Sequence, residues 1–266
     1  MDDAKRGIDT SVPHPARRYN YWLGGKDNFA ADRESGDEFA RRFPGVRIGV
    51  RANRAFLQRT VRFLAAERGI RQFLDIGTGL PTADNTHEVA QRVAPESRVV
   101  YVDNDPLVMT HARALLDSTP QGRTAYLEAD LRNPGDILRE AAETLDFGRP
   151  IAVLLVAVLH FIPGTGAARP LVRELLDAMP SGSYLSATHG TLEFSPPEYR
   201  KAHEELRAAG RSDAWLRGSD EFGAVFDGLE LEEPGLVPVT EWRPDTDGPL
   251  PDRKDVAIIG AVGKKP

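Results

Sequence analysis

Cysteine is absent from the 266 residues, which excludes disulfides, cysteine-ligated zinc and thiol nucleophiles. Histidine is sparse: six are scattered along the chain with no HExxH pair, so no dedicated metal site is expected. Long hydrophobic runs are missing as well. The longest, Ile151–Leu159, has nine residues, far short of the roughly 20 that span a bilayer. The N-terminus, MDDAKRGIDT, is charged and lacks the apolar stretch of a secretory leader. There is no internal repeat and no long low-complexity segment. These absences leave the expectation of a cytoplasmic enzyme or binding protein that engages no membrane.

What is present fits that expectation. A hydrophobic share of 41% and a charged share of 28% are those of a soluble globular protein. The length suffices for one large domain with a full core. The net charge of −6 is unevenly spread. Residues 1–72 hold 15 Lys+Arg against 9 Asp+Glu, a net of +6, so residues 73–266 carry −12. Between Phe39 and Arg71 stand nine arginines and a single acid, Glu67. Two readings of this stretch are open: a solvated helix face, or a basic rim that attracts an anionic acceptor. In the second, Arg51, Arg54 and Arg62 would border the acceptor entrance.

Hydrophobic periodicity divides the chain in two. Helices are predicted over Ala16–Leu23, Asn28–Arg42 and about Val50–Arg68, broken by GGKD and FPGVRIG. In the third, Phe56, Thr60, Phe63 and Leu64 share one face. Strands and helices then alternate. RQFLDIG, SRVVYVDND, TAYLEADL, the long apolar PIAVLLVAVLHFI and GSYLSATHG read as five strands. Helices separate them near Glu88–Val93, Leu107–Leu116, Asp136–Thr144 and Ala168–Met179. Two more helices, near Pro197–Ala209 and Ser219–Phe226, precede strands at about Leu236–Trp242 and Val256–Val262, which could pair as a hairpin. Such alternation predicts a doubly wound α/β sheet. The expected division is a tail and helical lid over 1–70 and a nucleotide-binding core over 71–266.

The stretch FLDIGTGLPTADNTHE, Phe73–Glu88, sits at the end of the first strand. Ligands of such sheets bind beyond the carboxyl ends of the strands at the switch point. A dinucleotide loop uses GxGxxG and runs straight into its helix. Here Thr82 occupies the third glycine position. Asn85 and Glu88 form a capping-box pattern that starts the helix near Thr86 and leaves 80–84 as loop. Asp75 stands two residues before Gly77, where it would repel a pyrophosphate but suits an ammonium and a sulfonium. Gly77 and Gly79 let backbone approach the ligand closely, and Thr78 between them is counted with the cofactor-binding residues. Asp103 ends the second strand, where a carboxylate can take both ribose hydroxyls, and Asn104 is beside it. Asp130 ends the third strand, placed to accept from an adenine amino group, with Leu131 packing on the ring. Three acids at adjacent strand ends match S-adenosylmethionine better than NAD. Asp105–Pro106 reads as the cap and first residue of a helix.

The chain resembles class I S-adenosylmethionine-dependent methyltransferases. More narrowly, it is similar to a bacterial family of them that shares ARRYNYWLGGKDNFAADR, FLDIGTGLPTADNTHEVAQ, VYVDNDP and GLVPVTEW. These stand here at Ala16–Arg33, Phe73–Gln91, Val100–Pro106 and Gly235–Trp242. The resemblance implies a Rossmann-like fold, a mostly parallel seven-stranded sheet with a reversed last strand, and binding of the methyl donor. It implies neither the acceptor nor a catalytic residue.

In that fold the end of the fourth strand lies beside the reacting methyl, which makes His160 the candidate base, with His189 second. The aromatic N-terminal motif, with Tyr19, Tyr21, Trp22 and Phe29 around Gly24–Gly25, is either helix packing or a lid over the donor. In the lid reading Tyr21 turns a ring towards the sulfonium, and Lys26 and Asp27 reach the donor's charged end. The preferred function is methyl transfer to a small molecule. The alternative is a regulatory protein that binds the donor without transfer. A nucleic-acid methyltransferase is disfavoured: VLHFIP follows the fourth strand in place of an Asn-Pro-Pro-Tyr type motif, and no base-reading domain is evident.

Overall fold

A computed structural model describes residues 9–115 and 118–266. Three helices come first: α1 (Pro15–Leu23), α2 (Ala30–Arg42) and α3 (Val46–Ala66). The sheet region then runs β1 (Gln72–Ile76), α4 (Thr86–Val93), β2 (Arg98–Asp103), α5 (Pro106–Leu115), β3 (Arg123–Glu128), α6 (Pro134–Ala141), β4 (Ala152–Leu155), α7 (Ala168–Asp177) and β5 (Tyr184–Gly190). It closes with α8 (Pro197–Ala208), α9 (Ser219–Gly223), β6 (Glu230–Leu231), β7 (Val237–Pro238), α10 (Arg253–Val256) and β8 (Ile258–Lys264). Leu116, the last residue of the helix expected over 107–116, lies outside the described residues.

The strand order is β3-β2-β1-β4-β5-β8-β6, with β7 also pairing β8. Strands β1 to β5 are mutually parallel, and β8 runs antiparallel to β5, β6 and β7. This is the expected Rossmann-like sheet with a reversed last strand. Seven positions are filled by eight strands, because the outermost one is split into β6 and β7. Side chains alternate between two cores, as strands covered on both faces require. On β1, Phe73 enters one apolar cluster while Leu74 and Ile76 enter the other. Among the described residues, no helix is long and apolar enough to cross a membrane.

Three expectations change. Helix α3, grouped with the lid on sequence, buries Phe56, Leu57, Val61, Phe63 and Leu64 against Phe73, Val99 and Ala152 of the sheet. It also begins at Val46, inside the supposed break. Gly49 permits this, since a Cβ there would stand 2.4 Å from the Val256 carbonyl oxygen. The fourth strand is only four residues long. After Leu155 the chain turns at Ala157 (φ +59°), whose amide donates to Thr188 Oγ1 at 2.9 Å, and Leu159–Phe161 form one 3-10 turn. The expected strand at 236–242 is a two-residue pairing followed by a turn. Buried Arg59 holds that turn, donating to the carbonyls of Val239 (2.6 Å) and Trp242 (3.0 Å). Trp242 is sealed edge-on against Phe56 and Phe63. In both segments apolar residues were needed for burial, not for strand pairing.

Candidate active site

The carboxyl ends of β1, β2 and β3 converge on one cavity of about 440 Å³. Gly77 and Gly79 carry positive φ (+75° and +67°). The amides of Gly77 and Thr78 both donate to Val102 O, at 2.8 and 3.2 Å, which folds the loop over the end of β2. A Cβ on Gly77 would stand 2.6 Å from Val158 Cγ2, so the β1 loop and the turn after β4 touch through a position only glycine fills.

Asp103 is held from two sides. Its Oδ2 accepts from Gly79 N and its Oδ1 from Asp105 N, each at 2.9 Å. Burial pushes its carboxyl above the usual range. Asp75 is also buried and raised by burial, and its Oδ2 accepts from Thr86 Oγ1 at 2.6 Å. Asp130 differs. Its Oδ1 takes both Arg132 Nε and the Arg132 amide at 2.9 Å, and these bonds hold its carboxyl down at about 2. Asn104 Nδ2 reaches Asp130 Oδ2 at 3.3 Å, and Leu131 is buried beside them. The expected capping box is present, with Asn85 N donating to Glu88 Oε2 at 2.6 Å. Asp75, Gly77, Thr78, Gly79, Asp103, Asn104, Asp130 and Leu131 all line the cavity, and His160 joins them from the turn after β4.

His160 is an uncharged imidazole. Burial first, then the charges of Arg217 and Arg18, lower its pKa to about 4. Its Nδ1 faces the Gly190 amide at 3.4 Å, which leaves the ring hydrogen on Nε2. His189 is outside the cavity lining and locked: Nδ1 lies 2.7 Å from Gly190 O, and Arg217 Nη1 donates to Nε2 at 3.0 Å. Burial, followed by His160, lowers its pKa to about 3. Sequence reasoning missed Arg217. This buried guanidinium also takes the carbonyls of Leu159, Ile162 and Gly164 and thereby fixes the turn that carries His160.

Tyr21 is the clearest correction. It does not line the cavity; its hydroxyl donates to Asp37 Oδ1 at 2.7 Å, and Arg47 stacks on its ring. Tyr19 and Trp22 line the cavity instead, two and one positions round the same helix. Lys26 and Asp27 are likewise absent from its walls. Most of the motif builds a helical hairpin: Asn20 Oδ1 accepts from Asp27 N and Asn28 Nδ2, and Asp32 accepts from His14 N and Phe29 N. The arginine trio does not act together. Arg62 pairs with Asp245 at 2.5 Å, Arg51 lines a separate surface groove, and only Arg54 reaches the cavity.

Beyond the strand-end acids the cavity continues between α1–α2 and α8. Its walls there include Trp22, Phe39, Phe43, Phe161, Tyr199 and Leu216. The charged groups in this chamber are paired internally: Arg18 with Asp213 at 2.6 Å, and Arg211 Nε with Glu38 Oε2 at 3.2 Å.

A parallel sheet with a reversed last strand, a Gly-x-Gly turn and acids at three strand ends defines a class I methyltransferase. The chain belongs to the S-adenosyl methyltransferase family, whose model matches residues 1–266. Its methyl donor is therefore S-adenosylmethionine. A crystal structure of a DUF574 family protein from Streptomyces avermitilis MA-4680 is 50% identical, with a TM-score of 0.91 over 97% of this chain and 99% of that one. A candidate methyltransferase from Thermobifida fusca YX is 41% identical, with a TM-score of 0.88 over 97% of each chain. An O-methyltransferase family protein from Burkholderia thailandensis, 16% identical with a TM-score of 0.50 over 86% of this chain and 62% of that one, shares the fold alone. No curated protein matches the chain.

Proposed function

We propose that this methyltransferase acts on a small molecule with an apolar, largely aromatic body. The observation that carries the reading is the continuity of one cavity from the strand-end acids into an aromatic chamber beneath α1–α2. A protein that only sensed the donor would need no such space.

In this reading Gly77, Thr78 and Gly79 wrap the donor with backbone. Asp103 accepts from the ribose hydroxyls. Asp130 and Asn104 address the adenine edge, Leu131 its face, and Asp75 the ammonium. S-adenosylmethionine supplies an electrophilic methyl group on a sulfonium. The protein's part is to hold the acceptor in line with it, and alignment of this kind accounts for much of the acceleration in such displacements. Burial lowers the pKa of His160 to about 4 and so keeps its ring uncharged at neutral pH. In this reading its Nε2–H orients the acceptor.

The test is turnover of methyl-labelled donor with a panel of small aromatic amines, phenols and carboxylates, read by mass spectrometry. Narrowing the chamber with Leu216→Trp is expected to abolish transfer while donor binding persists. Transfer that survives this substitution, or that occurs only on a protein or nucleic acid, overturns the reading.

A further inference from the structure

Beyond the strand-end acids, one wall of the chamber is a run of linked rings. Trp22 meets Phe39 at 5.4 Å between centroids, Phe39 meets Phe43 at 4.6 Å, and Phe43 meets Tyr199 edge-on at 5.3 Å. Arg18, which also lines the chamber, precedes Trp22 by one turn of α1 and so shares its helix face. Its side chain is 11% exposed, whereas that of its partner Asp213 is 42% exposed. The cation of this pair therefore lies inside and the anion at the surface. Arg18 Nη2 donates to Asp213 at 2.6 Å and Nη1 to Ser35 Oγ at 3.3 Å, but the buried Nε has no acceptor. Buried polar atoms left without a partner are rare in native proteins.

His160 adds a second hydrogen-bond donor. With its hydrogen on Nε2 it offers an N–H and no lone pair at that atom. Among the described residues nothing accepts from it. The turn that carries His160 abuts the glycine loop through Val158 and Gly77, which puts this N–H at the methyl-donor end of the chamber. Arg18 is close enough for its charge, after burial and Arg217, to lower the His160 pKa. The chamber's own carboxylates, Glu38, Asp213 and Asp255, each stand opposite a cation, in turn Arg211, Arg18 and Lys254. Such pairing makes each of them a poorer proton acceptor.

These walls suit an aromatic body whose nucleophile accepts hydrogen bonds and needs no base. A carboxylic acid is already ionised at neutral pH. A phenol, with a pKa of about 10, must first lose a proton, and an amine must shed one on methylation. Apolar surroundings favour the acid further, because carboxylate and sulfonium cancel each other's charge in the transition state.

We infer that the acceptor is an aromatic carboxylic acid, held as its carboxylate by the Arg18 guanidinium and the His160 Nε2–H, and that the product is its methyl ester. A carboxylate oxygen forms the new bond to the methyl carbon as the carbon–sulfur bond breaks. The electron pair of the broken bond goes to sulfur, the sulfonium becomes a neutral thioether, and no proton moves. The inference rests on the acceptor chamber proposed above and adds which atom is methylated.

The test compares each acid with its neutral amide, benzoate with benzamide and naphthoate with naphthamide, on the full chain saturated with S-adenosylhomocysteine. Calorimetry is expected to show the acid bound about tenfold to a hundredfold more tightly than its amide, as a hydrogen bond to a charged group predicts. Arg18→Met should lose that difference and Arg18→Lys recover part of it. Turnover with S-adenosylmethionine, read by mass spectrometry, is expected to esterify the acids faster than it methylates phenol, naphthol, aniline or naphthylamine. Acids bound no better than their amides, or a phenol or amine methylated faster than the matching acid, overturns the inference and leaves an aromatic acceptor standing. No binding and no methylation of any of these compounds overturns the reading of the chamber itself. An equal loss on acid and amide in Arg18→Met shows that Arg18 only holds Asp213, and the proposal fails. The wild-type comparison decides the matter even if a variant does not fold.

Discussion

Arg17 meets Asp105 through two parallel hydrogen bonds, Nε to Oδ2 at 2.9 Å and Nη2 to Oδ1 at 3.0 Å, with both residues buried. The pair bolts α1 to the turn between β2 and α5. Asp105 also caps α5, accepting from Leu107 N at 3.0 Å, while its own amide holds Asp103. The first helix is thus tied to the core one hydrogen bond away from the proposed ribose acid.

Breaking such a pair from one side strands a buried charge. Arg17→Met is expected to cost about 3–5 kcal/mol in urea denaturation, the range for a buried ion pair that loses one partner. Adding Asp105→Asn should recover part of the loss. A cost below about 1 kcal/mol would mean that solvent screens the pair as it screens surface bridges.

Asp103 supplies acceptors to Gly79, Asp105 and the proposed ribose. Asp103→Ala is expected to weaken S-adenosylhomocysteine binding by about tenfold to several hundredfold, measured by calorimetry. Binding should also weaken as pH falls through the carboxyl's raised pKa, since the ionised form is the acceptor. Unchanged affinity, or tight NAD binding by wild type, contradicts the assignment.

His160 and His189 make stability depend on pH. Their folded pKa values, about 4 and about 3, lie below the ordinary 6.5. The unfolded chain therefore takes up protons first as pH falls. Their contribution is fully present above 6.5 and is lost as pH drops towards 4 and below. Buried Asp75 and Asp103, raised instead, oppose this trend. Denaturation midpoints should fall across that window in wild type and fall less in His189→Gln. Parallel curves for the two proteins would refute the role given to His189.

Gly77→Ala combines a strained φ of +75° with a Cβ 2.6 Å from Val158. A left-handed non-glycine residue alone costs about 1–3 kcal/mol, and the clash adds displacement of the turn that carries His160. Loss of both donor affinity and transfer is expected. Full activity in this variant would show that the two loops need not touch.

The lining of the candidate site was legible where the signal was local. Acids at the ends of β1, β2 and β3 follow from strand periodicity, and all of them reach the cavity. Tyr21 was misread because helical spacing orders side chains around an axis without saying which of two neighbours, α2 or the cavity, each one meets. The arginine face of α3 failed for the same reason, since its members serve three different surroundings.

The sequence by itself determined the alternation of strands and helices, the Asn85–Glu88 capping box, the Asp105–Pro106 helix start and the acids at the strand ends. Each depends on hydrogen bonds or periodicity within a few residues, so neighbours in sequence suffice to specify it. Tertiary structure alone decided that β4 stops after four residues, that the sheet's edge is split, and that Arg54 lines the strand-end cavity while Arg62 does not. It also decided the long-range contacts that hold the helices and turns to the sheet. Tyr19 meets Asn53 across 34 residues, Arg17 meets Asp105 across 88, and Arg59 meets Trp242 across 183. Such pairs form because packing removes water from both partners at once, and no local pattern in the chain encodes which partner that will be.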